Sequence, residues 1–224
     1  MKALLKTMKS VPAKVLLMTC LCTAHNMAQA ADAESRTSGS YTDNLKFVPS
    51  LGYSYFNITG AEDSYSSKGG SSAALLVQKM FSPTLSVESG LQYLEAGAKQ
   101  TLDFGFFSLD ALVVDIKMLT IPVRAQYLLN PTSTGARYFG KAGLAATYVL
   151  GAQVESMGQT ADIKEDLNAL GAFAQVGLGA DWEVASQSRV NLDVTYNYGL
   201  TKIFKNGNGK LAGLEVQAGY AIPF

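Results

Sequence analysis

The chain has 224 residues, with 18 Lys and Arg balancing 18 Asp and Glu, and only one His and two Cys. This balance excludes the basic surface that nucleic-acid binding needs, and two cysteines are too few for a disulfide framework. Although 48% of the residues are hydrophobic, no apolar run is long enough for a transmembrane helix.

The first element is an export signal. Lys2, Lys6, Lys9 and Lys14 form a basic region ahead of the apolar run Val15 to Leu21, and Ala28-Gln29-Ala30 supplies small residues for cleavage. This order predicts a secretory signal peptide over residues 1–30, cut after Ala30. Lipidation at Cys20 or Cys22 is the alternative, but Thr19 before Cys20 is a poor match to that motif. Cleavage would remove Cys20, Cys22 and His25, leaving a mature chain of net charge minus four with no imidazole and no thiol. Zinc sites, Cys-His pairs and Ser-His-Asp triads are then excluded, and no glycine loop followed by a helix points to a nucleotide. No cofactor is expected.

Residues 31–44 are small and polar and read as a short flexible periplasmic leader. From residue 45 to residue 224 the chain alternates with period two. Val190, Leu192, Val194, Tyr196 and Tyr198 share one face, and Asn191, Asp193, Thr195 and Asn197 share the other. Such alternation gives a strand one apolar and one polar wall. The pattern predicts eight strands, starting near Lys46, Gly70, Thr84, Leu109, Arg137, Leu167, Arg189 and Lys210. Short turns, such as Ser82-Pro83-Thr84 and the stretch from Ala185 to Ser188, alternate with longer connections at Asn57 to Gly69, Lys99 to Ser108, Glu155 to Asp166 and Lys205 to Gly209. Alternating short and long connections fit an all-β, antiparallel, up-and-down transmembrane barrel with periplasmic turns and extracellular loops.

Aromatic residues of such a barrel gather at the two membrane interfaces. On the apolar face, Phe47, Tyr127, Tyr138, Trp182, Tyr220 and Phe224 fall at the turn end, and Tyr53, Tyr55, Tyr93, Tyr148, Tyr196 and Tyr198 at the loop end. Leu51, Leu91, Val123, Leu144, Val176 and Val194 lie between them, with no charge. The opposite parity puts Gln92, Gln126, Gln175, Asp181 and Gln217 inside, together with a charge network of Glu88, Arg124, Lys141, Asp193 and Glu215. Eight strands enclose a bore that side chains can fill, so the lumen is expected to be plugged by polar pairs. Trapped water solvating the same groups is the plainer alternative.

Several blocks also resemble a known family. Gly90-Leu91-Gln92-Tyr93, Leu119-Thr120-Ile121-Pro122-Val123, Gly140-Lys141-Ala142-Gly143-Leu144, Gly177-Leu178-Gly179-Ala180 and Tyr196-Asn197-Tyr198-Gly199-Leu200-Thr201 are similar to the small outer-membrane β-barrel domain common in Bacteroidota, a porin-family barrel related to the OmpA and OmpX types. Thr120 stands where that family often has an acidic residue. The resemblance implies the fold and an outer-membrane location, and no particular ligand.

The expected role is non-catalytic: a structural or surface-interaction barrel acting through extracellular loops, in contact with outer-membrane lipid, monomeric, and with an unidentified loop ligand. A narrow channel and a soluble exported β-barrel holding a small apolar ligand are the alternatives. A lipid-modifying barrel ranks last, since no Ser, Tyr or carboxylate constellation is visible. Asp162, Glu165 and Asp166 lack the spacing of a calcium loop and read as a solvated acidic segment. Val216, Ala218, Tyr220, Ile222 and Phe224 resemble the alternating C-terminal signal that barrel assembly machinery reads, and the same parity also reads as plainly lipid-facing. Deleting Phe224 should therefore reduce heat-modifiable, membrane-inserted protein far more than deleting the loop residue Asn208; equal insertion of the two would remove the assembly role.

Overall fold

The computed structural model describes residues 45–60, 65–103, 108–130, 135–156, 158–185 and 188–223. The signal peptide, the leader and Phe224 lie outside the described residues. Nine strands follow in order: β1 (Leu45–Thr59), β2 (Ser66–Met80), β3 (Leu85–Asp103), β4 (Ser108–Leu128), β5 (Ala136–Ser156), β6 (Gln159–Asp162), β7 (Leu170–Ala185), β8 (Ser188–Gly199) and β9 (Lys210–Pro223). All but β6 pair antiparallel with their neighbours around a closed ring, with β1 against β9 and β4 against β5. The short β6 folds back on the top of β5 alone. This is an eight-stranded antiparallel β-barrel, and closure leaves none of its long strands with an unpaired edge.

Side-chain parity sets the two walls of the cylinder. Leu51, Val123, Val176 and Val194 point outward and are exposed, Leu51 at 71%, whereas Arg124 on the opposite parity is at 0%. Tyr53, Tyr55, Tyr127, Tyr138, Tyr148, Trp182, Tyr196, Tyr198 and Tyr220 stand exposed on the same outer wall, with Phe47 and Tyr93 half-buried beside them. No helix among the described residues is long and apolar enough to cross a membrane; the apolar outer wall of the strands is the surface that fits hydrocarbon.

Three strands are far longer than a crossing requires. About 9–11 residues span the hydrocarbon, yet β3 has 19 residues and β4 and β5 have 21 each. The segment from Lys99 to Ser108, read from sequence as a loop, is mostly ladder: Lys99 pairs with Val113, and pairing continues to Asp103 with Ser108. β1 likewise runs to Thr59 and β2 starts at Ser66, inside the expected first loop. Polar composition marked these segments as loops, but in water a strand can carry polar residues on one face.

The extra length exchanges the two walls. Below the level of Tyr93, Leu119 and Tyr148, which are paired across β3, β4 and β5, the outside is apolar and the inside polar. Above it the outer face carries Glu95, Asp115, Lys117, Gln153 and Glu155, while Leu94, Ala96, Ala98, Val114, Ile116 and Ala152 are buried inside. The barrel emerging from the membrane is thus built like a water-soluble one.

Two irregularities sit at this change of level. Lys117 pairs with Gly151 and Met118 with Val149, so Leu150 is an extra residue that shifts the parity of β5 from Val149 inward to Ala152 inward. Strict alternation read from sequence fails there. A second register shift lies in β2 between Lys68 and Ser72. The Glu95 carboxylate occupies it, accepting from Ser71 N at 3.1 Å, from Ser71 Oγ at 2.6 Å and from the Tyr93 hydroxyl at 2.8 Å. At the top, Gly158 (φ +80°) makes the tight turn from β5 into β6, a conformation side chains disfavour.

The exchange of walls sets the cost of an outward charge. Val194→Lys in the membrane band should destabilise the barrel by about 2–4 kcal/mol, whereas Lys117→Ala above it should change stability by less than about 0.5 kcal/mol. Urea unfolding in lipid vesicles, followed by the fluorescence of Trp182, reads both, and equal effects would place the two residues in the same medium.

Candidate functional site

Among the described residues, buried polar chemistry concentrates in the lumen, layered from the turn end upward. At the bottom, β5, β7 and β8 bring Arg137, Asp181 and Arg189 together. The Arg137 guanidinium grips Asp181 with two hydrogen bonds of 2.9 Å, and Arg189 Nε donates to the same carboxylate at 2.5 Å. Arg189 also donates to Glu183 at 3.0 Å and to the Gly135 carbonyl at 3.0 Å. Sequence reasoning placed Asp181 inside but missed both arginines. Arg189 shares the inward parity of Asp193, and that was the available signal.

Above this clasp the structure brings together Glu88, Arg124, Lys141 and Asp193, four of the five residues of the expected charge network. Glu88 and Arg124 are direct cross-strand partners, and their side chains meet with Arg124 Nε 2.6 Å from Glu88 Oε1. Lys141, one strand further on, donates to Asp193 at 2.5 Å and stands 3.9 Å from Glu88. Thr195 Oγ1 donates to Asp193 at 3.2 Å. Room for the lysine comes from Gly177, where a Cβ would come within 3.1 Å of Lys141 Cε and 2.8 Å of Thr195 Oγ1.

Glu215 is buried at the same level but stands outside the ion pairs found among the described residues. Its Oε1 accepts from Gln92 at 2.5 Å and from Gln217 at 3.0 Å. Beside it Gln175 donates to Asn197 at 2.6 Å, and lower down Gln78 Nε2 donates to Ser86 and Gln126. Alternating charges and amides thus fill the membrane-level bore, as unpaired charges removed from water would be costly.

The upper lumen differs from the polar filling expected along the whole bore. Phe56, Ile58, Leu94, Ile116, Met118, Val149, Phe173 and Leu211 form one buried apolar cluster. Phe56 and Phe173 face each other across it with ring centroids 6.0 Å apart, within the range of favourable aromatic pairs. The two longest connections close over the top and add Leu167 and Ile203 to the cluster. They are joined to each other: Leu167 bridges to Phe204, Asn168 N donates to the Ile203 carbonyl at 2.8 Å, and Asn168 Nδ2 donates to the Lys202 and Phe204 carbonyls at 2.9 and 3.2 Å. Lys205 N donates to the Asp166 carbonyl at 3.0 Å. Beside this clasp Met118, Val149, Phe173 and Ile203 line a cavity of about 10 Å³, room for about one water.

The other sequence candidates fall outside the lumen. Asp162 accepts from Lys164 N at 2.8 Å and sits beside the short 3-10 turn that carries Glu165 and Asp166; no group able to hold a metal occurs among the described residues. Val216, Ala218, Tyr220 and Ile222 point to the lipid side of β9.

The central pair can be tested directly. Arg124→Ala leaves Glu88 buried without its guanidinium and should cost about 3–5 kcal/mol, while Arg124→Met combined with Glu88→Leu should recover most of that loss. The temperature at which the barrel loses its fast, folded gel migration measures both; an Arg124→Ala barrel as heat-stable as the parent would mean that the pair contributes nothing.

Comparisons with known proteins agree with this geometry. None of the curated proteins matches the sequence. Among solved structures, Neisserial surface protein A is similar at 15% identity and TM-score 0.55, over 80% of this chain and 97% of that one. The outer membrane protein OprG from Pseudomonas aeruginosa is similar at 14% identity and TM-score 0.50, over 81% of this chain and 97% of that one. At such identities the likeness concerns the fold. The family model described as outer membrane protein beta-barrel domain matches residues 27–205, and with a closed barrel whose apolar wall faces outward, the chain belongs to that family of outer-membrane β-barrels.

Proposed function

We propose that this protein is a non-catalytic, non-conducting barrel of the outer membrane that presents a rigid, closed surface outside the cell. The observation that carries this reading is the filled lumen: Glu88–Arg124 and Lys141–Asp193 pairs at membrane level, under an apolar cluster over which the two long connections are joined. A conducting path needs a continuous wetted route, and an apolar constriction opposes it by excluding water. The outer wall above the membrane, with Lys68 paired to Asp115, exposed Lys117 and Glu155, and the joined connections, is the part a partner outside the cell would meet.

Catalysis finds no support in this arrangement. The buried carboxylates are engaged by cations or amides, and the hydroxyls that meet a carboxylate among the described residues, Ser71 and Tyr93 at Glu95 and Thr195 at Asp193, do so with no imidazole or thiol beside them. Export by the cleaved signal peptide, insertion by barrel assembly machinery through the β9 pattern, and a monomeric state complete the reading. Purified protein in planar bilayers should show no discrete conductance steps at moderate voltage; reproducible single-channel steps would replace this proposal with a narrow channel.

A further inference from the structure

The apolar belt of the barrel is not the same height all round. On β2 the outward residues Ala73, Leu75 and Val77 lie between Ser71 and Lys79, both polar and exposed. On β4 the belt runs from Leu119 to Tyr127, on β5 from Tyr138 to Tyr148, and on β7 from Leu170 to Trp182, with no polar residue on the outward parity between these ends. A strand tilted by about 40° climbs about 2.5 Å per residue, so the belt is about 20 Å high at β2 and about 30 Å high at β7. These two strands lie on opposite sides of the ring.

The low side is fixed by a charge that cannot retreat. Glu95 on the neighbouring β3 accepts from Ser71 N and Oγ and from the Tyr93 hydroxyl. The Ser71 hydroxyl first, and the Tyr93 hydroxyl second, hold its carboxyl below the ordinary range, which keeps it ionised. A charged side chain that is free to move can snorkel to an interface, but this carboxylate is pinned at the level of Ser71, and water or headgroups must meet it there. At the other end Lys79 turns its Nζ toward Phe81, 5.6 Å from the ring centroid. Tilting the barrel does not reconcile the two sides, because tilt moves both ends of one strand's belt in the same direction and leaves its length unchanged.

We propose that the protein compresses the bilayer along β2, so that the membrane it fits is wedge-shaped, thinner there than against β7. A bilayer meets a belt shorter than its own hydrocarbon by thinning. The inference concerns the outer wall and stands apart from the filled lumen.

Nitroxide probes read the thickness strand by strand. Ala73→Cys and Val77→Cys on β2, and Ala174→Cys and Leu178→Cys on β7, sit equally far from the middle of their belts. Each is introduced singly into a chain with Cys20→Ser and Cys22→Ser, spin-labelled, and reconstituted in vesicles of phosphatidylethanolamine and phosphatidylglycerol. Access to a water-soluble nickel chelate, relative to oxygen, should be several-fold higher at the β2 pair than at the β7 pair. Ser71→Leu with Glu95→Leu and Lys79→Leu raises the belt and should dry the β2 labels to the β7 values. Heat-modifiable migration shows which variants are folded; where the triple variant does not insert, Lys79→Leu alone should dry the label at position 77 and spare that at position 73. Labels on β2 as dry as those on β7 in the parent, or equally wet after the belt is lengthened, would each overturn the proposal.

Discussion

A strand that leaves hydrocarbon for water must exchange the chemistry of its two faces, and most of this molecule follows from that requirement. Within the bilayer the closed ladder satisfies the backbone except where it skips beside Pro49 and Pro122, and the side chains that point outward must be apolar. Once β3, β4 and β5 rise past Tyr93, Leu119 and Tyr148, the solvent outside is water, and the hydrophobic effect puts apolar side chains on the inside. The cylinder is therefore two barrels on one set of strands: a membrane barrel with a polar interior and, above it, a water-soluble barrel with an apolar one. The register shifts at Leu150 and near Ser71 fall at the join.

That arrangement explains how the bore is closed. Polar groups in the lower half are held by partners within the wall, Glu88 with Arg124 on the adjacent strand and Lys141 with Asp193 across the intervening β7, so the filling is specified by register. In the upper half the loops are recruited into the core because Leu167 and Ile203 have an apolar cavity to enter. A polar interior throughout would have given those connections no reason to fold inward.

Much of the membrane half was legible in the sequence, because a strand's period of two ties lipid-facing and lumen-facing residues to parity. Val194 outward and Asp193 inward follow from it, as does the grouping of Glu88, Arg124 and Lys141, whose strands are consecutive. Arg137 and Arg189 were missed because each lies at a strand end, where the boundary and not the parity was in doubt. The apolar cap was missed for a different reason. Leu94, Ala96 and Ala98 keep the parity of Glu88 and Gln92, and only an apolar inward run facing a charged outward one, Glu95 and Lys99, signals the change of solvent. The extra residue Leu150 then breaks the count on β5. The joining of the two long connections through Asn168 depends on backbone carbonyls, which leave no trace in a residue pattern.

The prolines have a mechanical consequence. Beside Pro49 the ladder to β9 skips a stretch, and beside Pro122 the ladder from β4 to β3 does the same, passing from Ser89–Val123 to Gln92–Thr120. These two softened seams divide the wall into a panel of three strands and a panel of five. A tube with two such creases deforms most easily about them, so when the surrounding bilayer squeezes the cylinder, its cross-section turns elliptical along an axis set by where those two rings interrupt the hydrogen bonding.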